Sequence, residues 1–189
     1  MSIEQFWQII ETTKAVSAEE QLAVFKNELQ RHTPQDLIEF ERRFIEQSLA
    51  AYSWDLWVVA WLCQGGLCSD DGFMDFRSWL ISRGRPAYEA ALADADTLVH
   101  EMRHAEHPEF ELFGYAPSKV YRAMTGEGFP GFDVQHPQEP AGGDWLRPAL
   151  KDRTGIKMFN CCVVFWAMAS SGPSRSGFQK FGNCAWSAA

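Results

Sequence analysis

His100-Glu101-Met102-Arg103-His104 is the sharpest chemical pattern in the chain, because it matches the H-E-x-x-H spacing of zinc peptidases. On a helix, His100 and His104 lie one turn apart on the same face, and Glu101 is placed to activate a zinc-bound water. His107 or Glu111 offers a third ligand. Three features oppose this. Arg103 and Glu106 put charge where such helices are apolar, Pro108 closes the segment early, and no G-x-x-H continuation follows. A solvated, charged helix end is the simpler reading, and a zinc-dependent hydrolase at His100 and His104 is the alternative.

Ser69-Asp70-Asp71-Gly72 is a second cluster, with paired carboxylates beside a glycine. Metal or phosphate chemistry suits such a turn, but the alternating ligands and terminal Glu of a calcium loop are missing. As a scaffold, Ser69 caps a helix and the two acids favour the positive end of its dipole. If the helices before and after it pack side by side, Asp55, Ser69, Asp70, Asp71, Arg77, Trp79 and Arg83 line one polar groove. Trp54, Trp57, Trp61 and Trp79 recur at helical spacing and read as core before they read as a ligand-stacking platform. There is no nucleophile elbow, phosphate loop or dinucleotide fingerprint, and the isolated Cys and Ser residues lack an identifiable base. No catalytic residue and no cofactor is therefore expected.

The elements that would position these residues are helices. Ser2-Ile3-Glu4-Gln5 is a capping-box pattern followed by Ile3, Phe6, Trp7 and Ile10 on one face. Ser17-Ala18-Glu19-Glu20 repeats it ahead of Leu22, Phe25 and Leu29. Thr33-Pro34 opens a third helix whose stripe, Leu37, Phe40 and Phe44 flanked by Ile38, Ile45 and Leu49, is wide enough to meet two neighbours. Trp54 to Gln64 is apolar nearly all round and reads as the central buried helix, stopped by Gly65-Gly66. Further helices carry Phe73, Phe76 and Leu80 up to Gly84, Tyr88 and Leu92 after Pro86, and Val120, Tyr121 and Met124 between Pro117 and Gly126. No segment alternates with period two. The expectation is an all-α domain of about six to seven helices, with an irregular Pro/Gly-rich segment after Gly126.

Residues 148–189 differ in kind. Asp152 is their only acid, against Lys151, Arg153, Lys157, Arg175 and Lys180, whereas the preceding 1–147 is acidic. The boundary of the helical domain is placed at 147. For the basic Ser/Gly/Cys-rich tail two readings stand, a lineage-specific extension or a stretch read through a shifted frame.

Tyr52-Ser53-Trp54-Asp55-Leu56-Trp57, Gly65-Gly66, Cys68-Ser69-Asp70-Asp71-Gly72-Phe73 and Phe76-Arg77-Ser78-Trp79-Leu80-Ile81-Ser82-Arg83-Gly84 form an unusual run. With Ala90-Ala91-Leu92-Ala93-Asp94, the early Phe6-Trp7, the later Phe110-Glu111 and Tyr115, and Asp133-Val134-Gln135-His136-Pro137, it resembles the bacterial domain-of-unknown-function family 4240. The likeness covers roughly residues 2 to 145. It implies a small helical domain and no known activity. After Trp145 the chain departs from the acidic segment and aromatic-rich helix that the resemblance leads one to expect.

Composition narrows the function classes. The chain of 189 residues is 46% hydrophobic and 22% charged, which suits one globular domain. A net charge of -8 with no run of Lys and Arg argues against nucleic acid as partner. The longest apolar runs, 54–63 and 161–169, fall short of the roughly 20 residues a membrane span takes. An acidic start without a secretory signal, and five cysteines without CxxC spacing, suggest reduced thiols in a cytoplasmic protein. The expected function is a non-catalytic protein-interaction or regulatory module, with another protein as partner and its groove near Asp70 and Asp71.

Overall fold

The computed structural model describes residues 1–15, 17–64, 68–98 and 108–143. Among them the chain forms eight α-helices, a 3-10 turn over Ala95–Thr97 and no strand. The helices are α1 (Ile3–Thr12), α2 (Ala18–Leu29), α3 (Pro34–Ala50), α4 (Trp54–Cys63), α5 (Asp70–Ser82), α6 (Arg85–Ala93), α7 (Glu111–Gly114) and α8 (Ala116–Thr125). The all-α expectation holds. The additional element is α7, a single turn too short to carry a periodic stripe. Among the described residues no helix is long and apolar enough to cross a membrane.

Helix starts follow the local signals. Ser2 and Thr33 make full capping boxes with Gln5 and Asp36, while Ser17 and Ser69 accept from the amides of Glu20 and Gly72. Gly126, in the left-handed conformation at φ 75°, ends α8. The wide stripe of α3 meets α1, α5 and α8, and its Phe40 packs on Phe6 of α1 and on Phe25 of α2.

The centre of the molecule is α5, not α4. Being apolar all round does not by itself bury a helix. Trp57, Trp61 and Leu62 keep part of their surface in solvent, and α4 lies to one side of α5. α5 packs against α3, α4, α6 and α7 and buries an unbroken run from Phe76 to Ser82. That run includes polar side chains, and the helix tolerates them because each finds a carbonyl. Ser78 donates to Met74 O, Ser82 to Trp79 O, and Arg77 to Phe73 O and Ser48 O.

Beyond α8 the chain returns without regular structure along α3. Phe129 stands edge-on to Tyr121, Phe132 lies under Arg42, and His136 stands edge-on to Tyr52. Ala141 then exchanges backbone hydrogen bonds with Tyr52 and Trp54 at the α3–α4 turn. The described residues end at 143, so the expected tail from 148 lies outside them, as do Gly65 and Gly66.

Gly84 joins α5 to α6 at φ 87° and ψ 170°, a region open essentially to glycine alone, and its missing side chain leaves room for Glu11 and Lys14. Glu11 uses that approach to accept from the Arg85 amide at 2.9 Å. Gly84→Ala should therefore lower stability by about 1–3 kcal/mol. In urea this should appear as a lower unfolding midpoint at unchanged slope, and an unaltered midpoint would contradict the strain.

Candidate functional site

Asp55, Ser69, Asp70 and Asp71 are exposed, Asp55 in the first turn of α4 and the others at the start of α5. Ser69 Oγ accepts from the Gly72 amide at 3.1 Å, which is its capping role. Gly72 in turn lets Gln64 approach closely and donate to the Gly72 carbonyl, tying the end of α4 to the start of α5. Trp79 points the other way. It is 6% exposed and packs on Phe76 within the core. Arg83 follows the last residue of α5, roughly 20 Å along the axis from Asp70 at 1.5 Å per residue.

Arg77 is buried, and two of its three nitrogens donate to carbonyls. Its Nη1 donates to Ser48 O at 2.9 Å and its Nε to Phe73 O at 3.4 Å, while the guanidinium lies over the rings of Tyr52 and Phe73. Burial draws its pKa down, whereas Tyr52 and Asp70 pull it up. No carboxylate among the described residues comes within ion-pair distance of it.

The far side of Arg77 opens into a half-enclosed cleft of about 240 Å³ between α3, α5 and α7. Phe44, Ile45 and Leu49 give it an aliphatic and aromatic wall, and Met74 and Tyr115 stand at its lips. Gly114 lines it as well. A side chain there would run into Ser78 Oγ, so glycine is what lets α7 approach α5. Its ionisable groups are Glu41 from α3, Asp75 and Arg77 from α5, Glu111 from α7, Tyr115 after it, and His136 from the return segment.

Glu41 is the anomaly of this set. Its Oε2 is sealed from solvent and finds no hydrogen-bond partner among the described residues, and burial pushes its pKa up to about 7. Asp75 is pushed up to about 6, first by burial and then by Glu111, Glu109 and Asp71. Asp71 and Asp75 are one helical turn apart, so the exposed acids at the start of α5 lead down to the cleft. Beside that path the Cys68 thiol is pushed up to about 12, mainly by burial with help from Glu109 and Asp70, which leaves it a poor nucleophile. A second depression, of about 380 Å³, lies between α1, α2 and the start of α3. There Gln5 and Asp36 are engaged in capping boxes and Glu28 with Arg31, whereas the buried His32 Nε2 has no hydrogen-bond partner among the described residues and stands 3.7 Å from Glu28 Oε1.

Of the seven groove residues read from the sequence, only Arg77 lines the cleft, where Glu111, read as a third metal ligand, also stands. His100 and His104 lie outside the described residues. Among the described residues no group of three or more His, Cys, Asp or Glu side chains is arranged to hold a metal ion. Glu41 had a legible signal, since it interrupts the second apolar row of α3, Ile38, Ile45 and Leu49. Asp75 and His136 had none, because only packing brings them to α3.

A carboxyl whose folded-state pKa is raised is neutral at low pH, and its burial there costs little. As pH climbs from the unfolded value of 4.5 through the folded value of about 7, ionisation is progressively opposed and stability is lost. Glu41→Gln should therefore leave stability at pH 4 nearly unchanged. At pH 8 it should raise it by about 2–3 kcal/mol. Chemical unfolding at both pH values would show this, and an equal effect at both would exclude a buried, neutral Glu41.

No curated protein and no solved structure matches the chain. A family described as protein of unknown function, DUF4240, matches residues 1–123, which covers α1 to α7 and most of α8. The chain belongs to the DUF4240 family.

Proposed function

We propose that this domain is a non-catalytic protein-interaction module whose binding surface runs from Asp70 and Asp71 into the cleft beside Arg77. The observation that carries the reading is apolar surface left open around a recess. Met74 and Tyr115 at the lips are 37% and 43% exposed, and Leu112, in the same turn as Glu111, is 46% exposed. Large apolar side chains grouped beside a cavity and rimmed by charge are the usual composition of a recognition surface. Arg77 is bonded to two carbonyls and stacked on two rings, so it shapes the cleft. The acids around it favour a partner of opposite charge, which would gain in association rate and in specificity.

The test is capture of partners from a lysate of the source organism by the tagged full chain, with identification of what is retained. A Met74→Ala/Tyr115→Ala variant removes exposed side chains only and should keep the helical circular dichroism of the parent. It should lose at least tenfold of any partner the parent retains. A partner retained equally by that variant but lost on Gln8→Ala, in the second depression, would place the interaction elsewhere.

A further inference from the structure

We infer that the segment 128–141 is held as a ligand in cis. The face of α3, α8 and the α3–α4 turn beneath it is a site for an extended, proline-rich peptide of a partner, with aromatic residues three apart. The site meets the cleft at His136, and it stands whether or not the cleft itself binds. Contact is made at separate points. Phe129 stands edge-on to Tyr121, Phe132 takes the Arg42 guanidinium on its face at 5.5 Å, and His136 stands edge-on to Tyr52. At the end of the segment the Ala141 carbonyl accepts from the Trp54 amide at 3.0 Å, and the Ala141 amide donates to Tyr52 O at 2.9 Å. Trp54 is the first residue of α4, so its amide has no acceptor within the helix. Backbone bonds for affinity and spaced side-chain contacts for selection are how folded domains take up extended peptides.

Little else fastens the segment. Residues 133–139 are all exposed. Among the described residues no hydrogen bond or ion pair joins 128–140 to a helix. Gly128 and Gly131 are required by neither space nor backbone. A side chain at either would meet nothing within 4 Å, and neither has a positive φ. Glycine in such a place only adds freedom that folding must remove, which suits a segment that leaves its site and not one built into the core. Between these hinges and Ala141, Pro137 and Pro140 keep the residues before them extended even when the segment is released. Less entropy is then lost on binding again, by this segment or by a partner peptide of the same composition.

The probe is the acetylated and amidated peptide of residues 128–142, titrated into the ¹⁵N-labelled full chain of a Phe129→Ala/Phe132→Ala/Ala141→Pro variant. The first two substitutions remove the aromatic anchors and the third removes the Ala141 donor. The variant should keep the helical circular dichroism of the parent. The peptide should shift the amides of Arg42, Tyr52, Trp54 and Tyr121 saturably, back towards their positions in the parent. A peptide with alanine at both phenylalanine positions should bind at least tenfold more weakly. The parent chain should also bind the intact peptide at least tenfold more weakly, because its own segment competes at the effective concentration of a tethered ligand. No saturable shift in the folded variant, equal binding of the alanine peptide, or equal binding by the parent would each overturn the inference. Should the variant not fold, hydrogen exchange in the parent decides. The Ala141 amide should exchange at least tenfold faster than those of Phe40 and Trp79, through an opening that spares α3 and α5. Exchange of Ala141 at the rate of that core would show the segment to be part of it and overturn the inference.

Discussion

The guanidinium of Arg77 holds together the two helices on which the rest of the molecule is built. An α-helix leaves its last four carbonyls without intrahelical partners, and a buried charge needs polar partners of its own. At the end of α3 these two needs are met by one contact, because Arg77 on α5 donates to Ser48 O. The positive charge also lies against the negative end of the α3 dipole. Tyr88 from α6 donates to the neighbouring Gln47 carbonyl at 2.7 Å, so two buried side chains finish the same helix terminus. Rings of Tyr52 and Phe73 close over the guanidinium.

That arrangement places the irregular parts of the chain. Tyr52, fixed beside Arg77, becomes the surface on which His136 rests, and the turn after it pairs with Ala141. The return segment is thus led back past α3, although it has no helical signal of its own. Near the other face of Arg77, Gly114 and Ser78 set the close approach of α7 to α5, and the space left under α3 is the cleft. Carboxyls on three elements face one recess from which water is partly excluded. The raised pKa of Glu41 follows from burial alone, and that of Asp75 from burial first and from Glu111, Glu109 and Asp71 second.

The acidity of the chain, read as a global excess, is in the structure also a local one. Asp70, Asp71, Glu109, Asp75 and Glu111 act on one another or on shared neighbours along a single path. Concentrating like charge costs folding stability, and functional surfaces are where proteins commonly carry that cost. Arg77 offsets the path only in part, since Asp70 interacts with its charge while its Nε and Nη1 are turned to carbonyls.

What the sequence determined by itself was local. Ser2, Ser17, Thr33 and Ser69 start helices because each bonds an amide three residues ahead, and Gly126 stops one through its own backbone freedom. The stripes of α1 and α3 name much of the core for the same reason, since a face is set by positions three and four apart. Which helix occupies the centre was not legible. α4 has the more apolar composition, but α5 has neighbours on more sides, and its Arg77 and serines are affordable inside only because carbonyls of α3 and α5 lie within reach. The groove read from Asp55 to Arg83 assumed that side-by-side packing of the helices before and after Ser69, which α4 and α5 do show, brings all its residues to one surface. The helix axis instead carries Arg83 to the far end of α5, and the helical period turns Trp79 inward. Glu41, Asp75, Glu111 and His136 meet through packing angles between four separate segments, and spacing along the chain carries no record of those angles.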